Sequence, residues 1–250
     1  MKTRTGKVAQ YDRIGMLYRR FKETAALPIP EHALFVSMLG DPAGLDVIDL
    51  ACGYGRYTRL CRELGARSAT GVDISQAMVD LARAETPTHM EQVTYVCHDV
   101  TSLPHIGQFD AATAVWLFNY ADSEDELRAM MAGARSNLAP GGRLEAITIH
   151  PDFVPGLGDW EPYGLRADRN TTLPRRHRMS TELLTPDGNF TIEISRWDAA
   201  VYAEAAAAAG FTHCDWVLPT IPREELDSRG TEFWHAYLDN PFVAGFHAQL

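Results

Sequence analysis

Short apolar runs and amphipathic stretches alternate along residues 45–150, and this alternation limits the chain to few architectures. Strand-like runs lie at 47–50, 69–72, 93–97, 109–117 and 143–149, and helix-like stretches lie at 56–65, 76–86 and 124–138. The sequence APGG at 139–142 ends the third helix before the last of these strands. Strands that alternate with helices of this length predict βαβ units and a mostly parallel α/β sheet with helices on both faces.

A less regular stretch, rich in proline and glycine, follows at residues 151–178. Apolar and polar residues then alternate over 190–195, which predicts a half-buried strand of a hairpin that turns at Asp187–Gly188. The remaining patterns predict an alanine-rich helix over 198–210 and strands over 211–219 and 242–250. These last strands bring the predicted sheet to seven.

The composition disfavours several kinds of partner. Asp and Glu number 33 against 23 Lys and Arg, and a net charge of -10 repels the phosphates of nucleic acids. No apolar run approaches ~20 residues, and no apolar stretch follows the basic N-terminus, so we expect neither a membrane span nor a secretory signal. We expect a cytoplasmic protein.

Cysteine and histidine spacing gives no support for a metal site. The four cysteines include no CxxC pair, which disfavours zinc and fits a reducing compartment. The spacing of His89, His98 and His105 matches no standard ligand pattern. We therefore expect no metal.

The stretch VIDLACGYGRYTR at 47–59 places two glycines directly after the first predicted strand. Ligands bind at the carboxyl edge of open α/β sheets, and Gly53 and Gly55 would let a ligand approach the main chain there. The N-terminus of the next helix would offer N–H groups to a negative group. An ordinary tight turn is the alternative interpretation.

Acidic residues end the next two strands. Asp73, in GVDIS, lies 20 residues beyond Gly53, where a carboxylate can accept hydrogen bonds from both hydroxyls of a ribose. Asp99, in CHDV, can accept from an exocyclic amine such as that of adenine. The alternative for Asp99 is a helix or turn cap.

These motifs, with FDAATAVWLFNYA and LAPGGRL, resemble the ordered motif series of class I S-adenosylmethionine-dependent methyltransferases. The resemblance covers residues 45–150 strongly and the C-terminal third loosely. It implies a Rossmann-like methyltransferase fold with a seven-stranded, mostly parallel sheet. It also implies one domain over residues 1–250, divided into an N-terminal helical lid at 1–40, a cofactor-binding core at 45–150, an inserted substrate cap at 151–196 and a C-terminal part at 197–250.

The resemblance also implies a cofactor, S-adenosylmethionine, with S-adenosylhomocysteine as product. Ala51 stands where the family usually has a glycine. The implied contacts are Asp49, Ala51, Gly53 and Gly55 near the methionine part, Asp73 on the ribose, Ile74, Met78, Asp99 and Val100 around the adenine, and Trp116 near the sulfonium. For Met78, a place in the core is the alternative.

A narrower likeness covers QYDRIGMLYRRFK at 10–22 and AVWLFNYADS at 114–123, which resemble toxoflavin-type azapteridine N-methyltransferases. It implies an N-terminal helix that covers the cofactor. Tyr11 and Tyr18 are seven residues apart and share a helical face, so either could close over the sulfonium. Plain packing of this helix on the sheet is the alternative.

Candidates for the chemistry follow the later strands. His150, after the fifth strand, could accept a proton, with loop capping as the alternative, and Tyr18 is a second catalytic candidate. Asn119 and Tyr120 could orient a polar substrate, and Trp116 could stack on a flat one. We expect methyl transfer to nitrogen or oxygen of a small planar metabolite of bacterial specialised metabolism, by a monomer or a homodimer.

Two other functions remain open from the sequence. A non-catalytic, cofactor-binding or regulatory member of the fold is one, because fold does not guarantee activity. A nicotinamide-dependent oxidoreductase is the other, although the AxGxG spacing lacks the later glycine of GxGxxG.

Overall fold

A computed structural model describes residues 4–250, and within them the side chains of residues 14–166 and 171–250. The helices are α1 Arg4–Thr24, α2 Pro28–Leu39, α3 Arg56–Glu63, α4 Gln76–Glu85, α5 Glu124–Arg135, α6 Ala199–Ala209, α7 Arg223–Arg229 and α8 Thr231–Asp239. The strands are β1 Asp46–Leu50, β2 Ser68–Asp73, β3 Val93–Cys97, β4 Phe109–Val115, β5 Leu138–Ile149, β6 Leu165–Leu173, β7 Arg176–Leu183, β8 Phe190–Trp197, β9 His213–Val217 and β10 Val243–Gln249. Among these described residues, no helix is both long enough and apolar enough to cross a membrane.

The main sheet has seven strands in the order β3-β2-β1-β4-β5-β10-β9. The first five run parallel, and β10 runs antiparallel to both β5 and β9. The predicted seven-stranded, mostly parallel sheet is confirmed. Because dinucleotide-binding Rossmann sheets follow the order 3-2-1-4-5-6, the reversed strand next to β5 argues against the nicotinamide alternative.

Both faces of the sheet are buried, which explains why its central strands are almost wholly apolar. On β1, Val47 packs into the cluster that contains residues of α2 and α3, and Ile48 packs into the opposite cluster with α5 and α6. Helices therefore cover both faces, as predicted. Gly210 caps the end of α6 with φ +96°, which agrees with the end predicted for the alanine-rich helix.

The boundary between α5 and β5 differs from the prediction. The helix ends at Arg135, and β5 already begins at Leu138, which pairs with Phe109 of β4. The register then shifts between Phe109 and Ala111, so the residues around Pro140 form an irregularity inside a strand pair. The sequence APGG ends the helix, but it does not delay the strand.

A second sheet has three antiparallel strands in the order β6-β7-β8, and we call it the cap sheet. In the chain it lies between β5 and α6. The pair β7–β8 confirms the predicted hairpin. Strand β6 was not predicted, because its sequence shows no clear alternation. The inward side chains of the cap sheet, such as Leu183 and Ile192, join one buried cluster with Phe21 and Leu27 from the N-terminal helices.

Helix α1 lies against α4, beside the carboxyl edge of the main sheet. A side chain at Gly15 would lie 3.3 Å from the terminal methyl of Met78 on α4. Arg19 of α1 also pairs with Glu85 at the far end of α4, at 2.5 Å. The N-terminal helix and the cap sheet therefore both approach the edge where β1, β2 and β4 end.

Candidate active site

Three connected cavities lie at this edge. The edge cavity, about 850 Å³ with its open mouth, is lined by Tyr18, Ala51, Gly53, Asp73, Ile74, Met78, His98, Asp99, Val100, Val115, Trp116, Leu117, Tyr120, Glu126 and Met130. The turn cavity, about 350 Å³, is lined by Tyr18, Lys22, Asp49, Ala51, Cys52, Gly53, Tyr54, Arg56, Tyr57 and Val115. The cap cavity, also about 350 Å³, lies below the cap sheet and includes Tyr18, Lys22, Glu31, Trp116, Tyr120 and Thr181.

The two glycines of the turn after β1 have different roles. Gly53 has φ +54°, and a side chain there would meet nothing within 4 Å, so its main chain is open to the edge and turn cavities. Gly55 has φ +79°, but a side chain there would collide with the Tyr95 hydroxyl. Gly55 lines none of the three cavities. Packing against Tyr95 is therefore a sufficient reason for a glycine at position 55, and the ligand approach expected there stays a prediction.

Two non-glycine residues at neighbouring strand ends adopt the left-handed backbone region. Ala51 has φ +59° after β1, and Trp116 has φ +63° after β4. Such residues cost of order 1–3 kcal/mol and cluster at functional sites. Both line the edge cavity, so the backbone strain lies where the sequence predicted a ligand.

Asp73 is held at the end of β2 by two backbone donors. Its Oδ2 accepts from the Gly53 N–H at 2.8 Å, and its Oδ1 accepts from the Ser75 N–H at 2.9 Å. The residue is 8% exposed and lines the edge cavity. The carboxylate therefore ties the glycine turn to the start of α4 in a fixed orientation.

Asp99 is a cap, which was the alternative interpretation of this residue, and it also lines the edge cavity. Its Oδ1 accepts from the Thr101 N–H at 2.7 Å and the Thr101 hydroxyl at 2.6 Å, which caps the short 3₁₀ helix Val100–Ser102. Asp99 also lines the edge cavity, together with Ile74, Met78 and Val100. The cap thus positions a carboxylate beside apolar side chains.

Asp49 lies beneath the glycine turn and is 1% exposed. Its carboxylate accepts from the Thr58 hydroxyl at 2.7 Å and the Thr113 hydroxyl at 2.9 Å. Burial raises the pKa of Asp49 from 3.8 to about 6, although both hydroxyls oppose the shift. Asp49 lines the turn cavity, where it places a negative charge near neutral pH.

A buried ion pair connects the N-terminal helices to the strand ends. Lys22 and Glu31 are 6% and 1% exposed, and the Lys22 ammonium donates to both carboxylate oxygens at 2.5 and 2.6 Å. Glu31 also accepts from the Tyr57 hydroxyl at 2.6 Å and from the Trp116 indole N–H at 2.7 Å. Burial acts to raise the pKa of Glu31, but the Lys22 ammonium and these hydrogen bonds outweigh it and lower the pKa.

Sequence reasoning missed this pair and also Thr181. A charged residue inside the apolar helix PIPEHALFVSML is a signal for a buried, partnered carboxylate at Glu31. No local pattern indicates that Lys22, nine residues earlier, is its partner. Thr181 is the polar inward residue of β7 between Met179 and Leu183, which only the strand register reveals.

Two predicted residues lie outside the cavities. His150 lines none of them: its Nδ1 accepts from the Asp152 N–H at 3.0 Å, and its backbone N–H donates to the Phe242 carbonyl. Asn119 is fully buried in the 3₁₀ helix Phe118–Tyr120 and also lines none of these three cavities. The roles expected of them stay predictions, and their positions outside these cavities give those roles no support.

Most of the other residues predicted to form the site lie in the walls of these cavities. Tyr18, Asp49, Ala51, Gly53, Asp73, Ile74, Met78, Asp99, Val100, Trp116 and Tyr120 line one cavity or more. The side chain of Tyr11 lies outside the described residues. Within the part of the chain that the structure describes, no group of three or more His, Cys, Asp or Glu side chains is placed to hold a metal.

Comparison with known proteins gives the family. Residues 47–142 match the family model of a methyltransferase domain. N-demethylindolmycin N-methyltransferase from Streptomyces griseus is 30% identical over 172 residues, which cover 66% of this chain and 68% of that enzyme. The chain belongs to the class I S-adenosylmethionine-dependent methyltransferases. Toxoflavin-type specificity does not follow from these matches.

Other methyltransferases extend the comparison. Ubiquinone biosynthesis O-methyltransferase from Xanthomonas axonopodis pv. citri is 29% identical over 57% of this chain and 61% of that enzyme. The matches thus span about two thirds or less of these curated relatives. A methyltransferase structure from Mesorhizobium loti has a TM-score of 0.63 and 22% identity, and covers 88% of this chain and 98% of that one. CalS10 is an amino pentose methyltransferase from Micromonospora echinaspora, and its structure contains S-adenosylmethionine. It has a TM-score of 0.59 and 19% identity, and the match covers 95% of this chain and 96% of that one. These two likenesses show the fold.

Proposed function

We propose that this methyltransferase transfers the methyl group of S-adenosylmethionine to nitrogen or oxygen of a small, flat metabolite. One observation carries the proposal: the edge, turn and cap cavities meet at Tyr18, which lines all three among the described residues. Methyl transfer needs two adjoining sites that open onto each other, because the acceptor atom attacks the methyl carbon in line with the leaving sulfur. Here the cofactor occupies the edge and turn cavities, and the methyl acceptor occupies the cap cavity.

The residues of the edge cavity fit the adenosine part. The fixed Asp73 carboxylate accepts from the ribose hydroxyls, as acids at this strand end do in related folds. Ile74, Met78 and Val100 pack on the adenine, and Asp99 accepts from its amine. The open main chain at Gly53 supports this fit, because a ligand can contact the backbone there without meeting a side chain.

The residues of the turn cavity fit the amino-acid part. Asp49 attracts its ammonium group, and Arg56 supplies positive charge for its carboxylate. S-adenosylmethionine supplies a methyl group on a sulfonium, which is already an activated leaving group. The protein's own contribution is therefore alignment and exclusion of water.

Tyr18 and Trp116 line both the edge cavity and the cap cavity, and so flank the place where cofactor and acceptor meet. Burial, followed by the Glu31 carboxylate, raises the pKa of Tyr18 well above its usual value, so its phenol stays protonated. Tyr18 therefore acts as an aromatic and hydrogen-bonding neighbour of the sulfonium rather than as a base. Trp116 stacks on the acceptor, with its indole held by the hydrogen bond to Glu31.

The relatives named above support a small methyl acceptor, and they support either nitrogen or oxygen as the methylated atom. They are an N-methyltransferase of N-demethylindolmycin, an O-methyltransferase of ubiquinone biosynthesis and an amino pentose methyltransferase of calicheamicin biosynthesis. The likeness to the indolmycin and calicheamicin enzymes supports a place in bacterial specialised metabolism. The narrower likeness to azapteridine N-methyltransferases supports nitrogen in a flat heterocycle.

Calorimetric titration with S-adenosylhomocysteine and with NADH tests the cofactor, and transfer of a labelled methyl group to a panel of heteroaromatic amines and phenols tests the reaction. We expect binding of S-adenosylhomocysteine and turnover of at least one flat acceptor. Binding of NADH alone would overturn the proposal. Binding of S-adenosylhomocysteine without any turnover would favour the non-catalytic alternative.

A further inference from the structure

The cap cavity is apolar almost throughout. Aliphatic and aromatic side chains of α1, the turn at Leu27 and the cap sheet form most of its wall, including Phe21, Leu165 and Ile194. Counted with its open mouth, the space inside this wall is about 350 Å³. A ligand that enters this space would contact mostly apolar side chains.

The charged groups in this wall neutralise each other. The Lys22 ammonium donates to both oxygens of Glu31, and the same oxygens accept from Tyr57 and Trp116. Both residues are buried, so water does not screen a third charge near them. A charged acceptor would leave water for a cavity without an unpaired counter-charge, and such transfers are costly.

One polar group in the wall is different. Thr181 is fully buried, and its hydroxyl has no hydrogen-bond partner among the described residues. It points inward from the middle of β7, between Met179 and Leu183, and lines the cap cavity. Buried hydroxyls are almost always hydrogen-bonded in native proteins. We therefore expect a partner for the Thr181 hydroxyl, and a ligand in the cavity can supply it.

We propose that the cap cavity selects compact, uncharged ring compounds and that the Thr181 hydroxyl orients them by a hydrogen bond to a polar ring atom. This inference rests on the proposed function, since it assumes that the cap cavity holds the methyl acceptor. Thr181 is a specificity-determining residue: it fixes which side of the ring faces Tyr18 and Trp116, and therefore which atom is methylated.

Four probes that share a two-ring frame test the inference on the full chain saturated with S-adenosylhomocysteine, by ligand-observed NMR titration at pH 8. Quinoline is neutral with one acceptor nitrogen, naphthalene has no polar atom, 2-naphthoate is an anion and 2-naphthylmethylammonium is a cation. We expect quinoline to bind at least about 10-fold more tightly than either ion, since the cavity offers no counter-charge.

Substitutions at Thr181 separate the hydrogen bond from the shape of the cavity. Thr181→Val keeps the volume and removes the hydroxyl, so quinoline binding should weaken about 5- to 10-fold while naphthalene binding is unchanged. Thr181→Ser keeps the hydroxyl and should retain quinoline binding within about 2-fold. Thr191→Val, at an exposed position of β8, is the matched control and should change neither.

Each result decides the matter. Equal weakening of quinoline and naphthalene in Thr181→Val, equal binding of the ions and quinoline, or no quinoline binding at all would overturn the inference. Calorimetry of S-adenosylhomocysteine on the same proteins separates this from the proposed function. Loss of cofactor-product binding would overturn the proposed function, whereas normal binding with indiscriminate probe binding overturns this inference alone.

Discussion

The edge cavity and the cap cavity are built in different ways. Short motifs at three strand ends supply the key groups of the edge cavity, and local backbone hydrogen bonds orient them, as for Asp73 and Asp99. Residues far apart in the chain form the cap cavity: α1, α2, the cap sheet and Trp116. The edge cavity therefore depends mainly on local sequence, and the cap cavity depends on how distant parts of the chain pack together.

The largest effect should follow a change at the junction of the two regions. Glu31→Gln leaves Lys22 buried without its counter-charge, and removing one partner of a buried ion pair costs about 3–5 kcal/mol. We expect a loss of this size in the free energy of unfolding, measured by urea denaturation.

Glu23→Gln is the matched control for this variant. Glu23 pairs with Arg19 in an exposed position, with 43% of its side chain accessible, so its loss should cost less than about 1 kcal/mol. The double variant Lys22→Met with Glu31→Gln should recover part of the stability. Equal, small losses in both single variants would mean that the pair does not connect the two regions.

The second effect concerns Asp49 beneath the edge and turn cavities. Its folded pKa is raised from 3.8 to about 6, so its contribution to stability is complete below about pH 4 and is lost as the pH rises through 6. At about 1.4 kcal/mol per pH unit, the ionised group destabilises the folded chain by on the order of 3 kcal/mol at pH 8.

Asp49→Asn cannot ionise, and we expect it to be more stable than the parent chain at pH 8, with a difference that shrinks toward pH 4. The measurement is the free energy of unfolding in urea across pH 4–8, with Asp80→Asn at an exposed site of α4 as control. The same variant should bind S-adenosylhomocysteine more weakly. A stability difference that is constant across this pH range would contradict the raised pKa.

The third effect isolates the edge cavity. Asp73→Ala should weaken the binding of S-adenosylhomocysteine by about 1–3 kcal/mol, because the ribose loses its hydrogen bonds. Calorimetry measures the dissociation constant, and Asp80→Ala is the control. An unchanged constant would show that the ribose lies elsewhere.

The smallest effect concerns backbone strain. Ala51 has φ +59°, so Ala51→Gly relieves strain in the folded chain but increases the freedom of the unfolded chain. We expect a net change of less than about 1 kcal/mol in unfolding free energy. Gly53→Ala, at φ +54°, should instead be destabilising. A large loss for Ala51→Gly would mean that the Ala51 methyl group has a packing role.

The sequence was sufficient for the main sheet because its strands and helices follow regular local patterns. It also predicted the residues at the ends of β1, β2 and β3, since a strand end fixes which edge of the sheet a residue joins. It could not separate Gly53 from Gly55, because the neighbour that makes Gly55 necessary, Tyr95, lies on a different strand.

The positions of His150 and Asn119 outside the three cavities could not be predicted for a related reason. A position after a strand predicts the edge of the sheet but not the direction of the following loop. The cap cavity was out of reach for the same reason: β6 has no regular pattern, and the pairing of Lys22 with Glu31 depends on how α1 and α2 pack together. Long-range packing, rather than local propensity, determines this half of the site.

A crystal structure with S-adenosylhomocysteine tests the joint arrangement of the cavities most directly. We expect the ribose hydroxyls within about 3 Å of the Asp73 carboxylate, the amino-acid part in the turn cavity, and the sulfur atom beside Tyr18 and Trp116, facing the cap cavity. A sulfur atom that faces solvent or the interior of the main sheet would contradict the assignment of the cap cavity to the acceptor. An edge cavity without the adenosine would contradict the assignment of both sites.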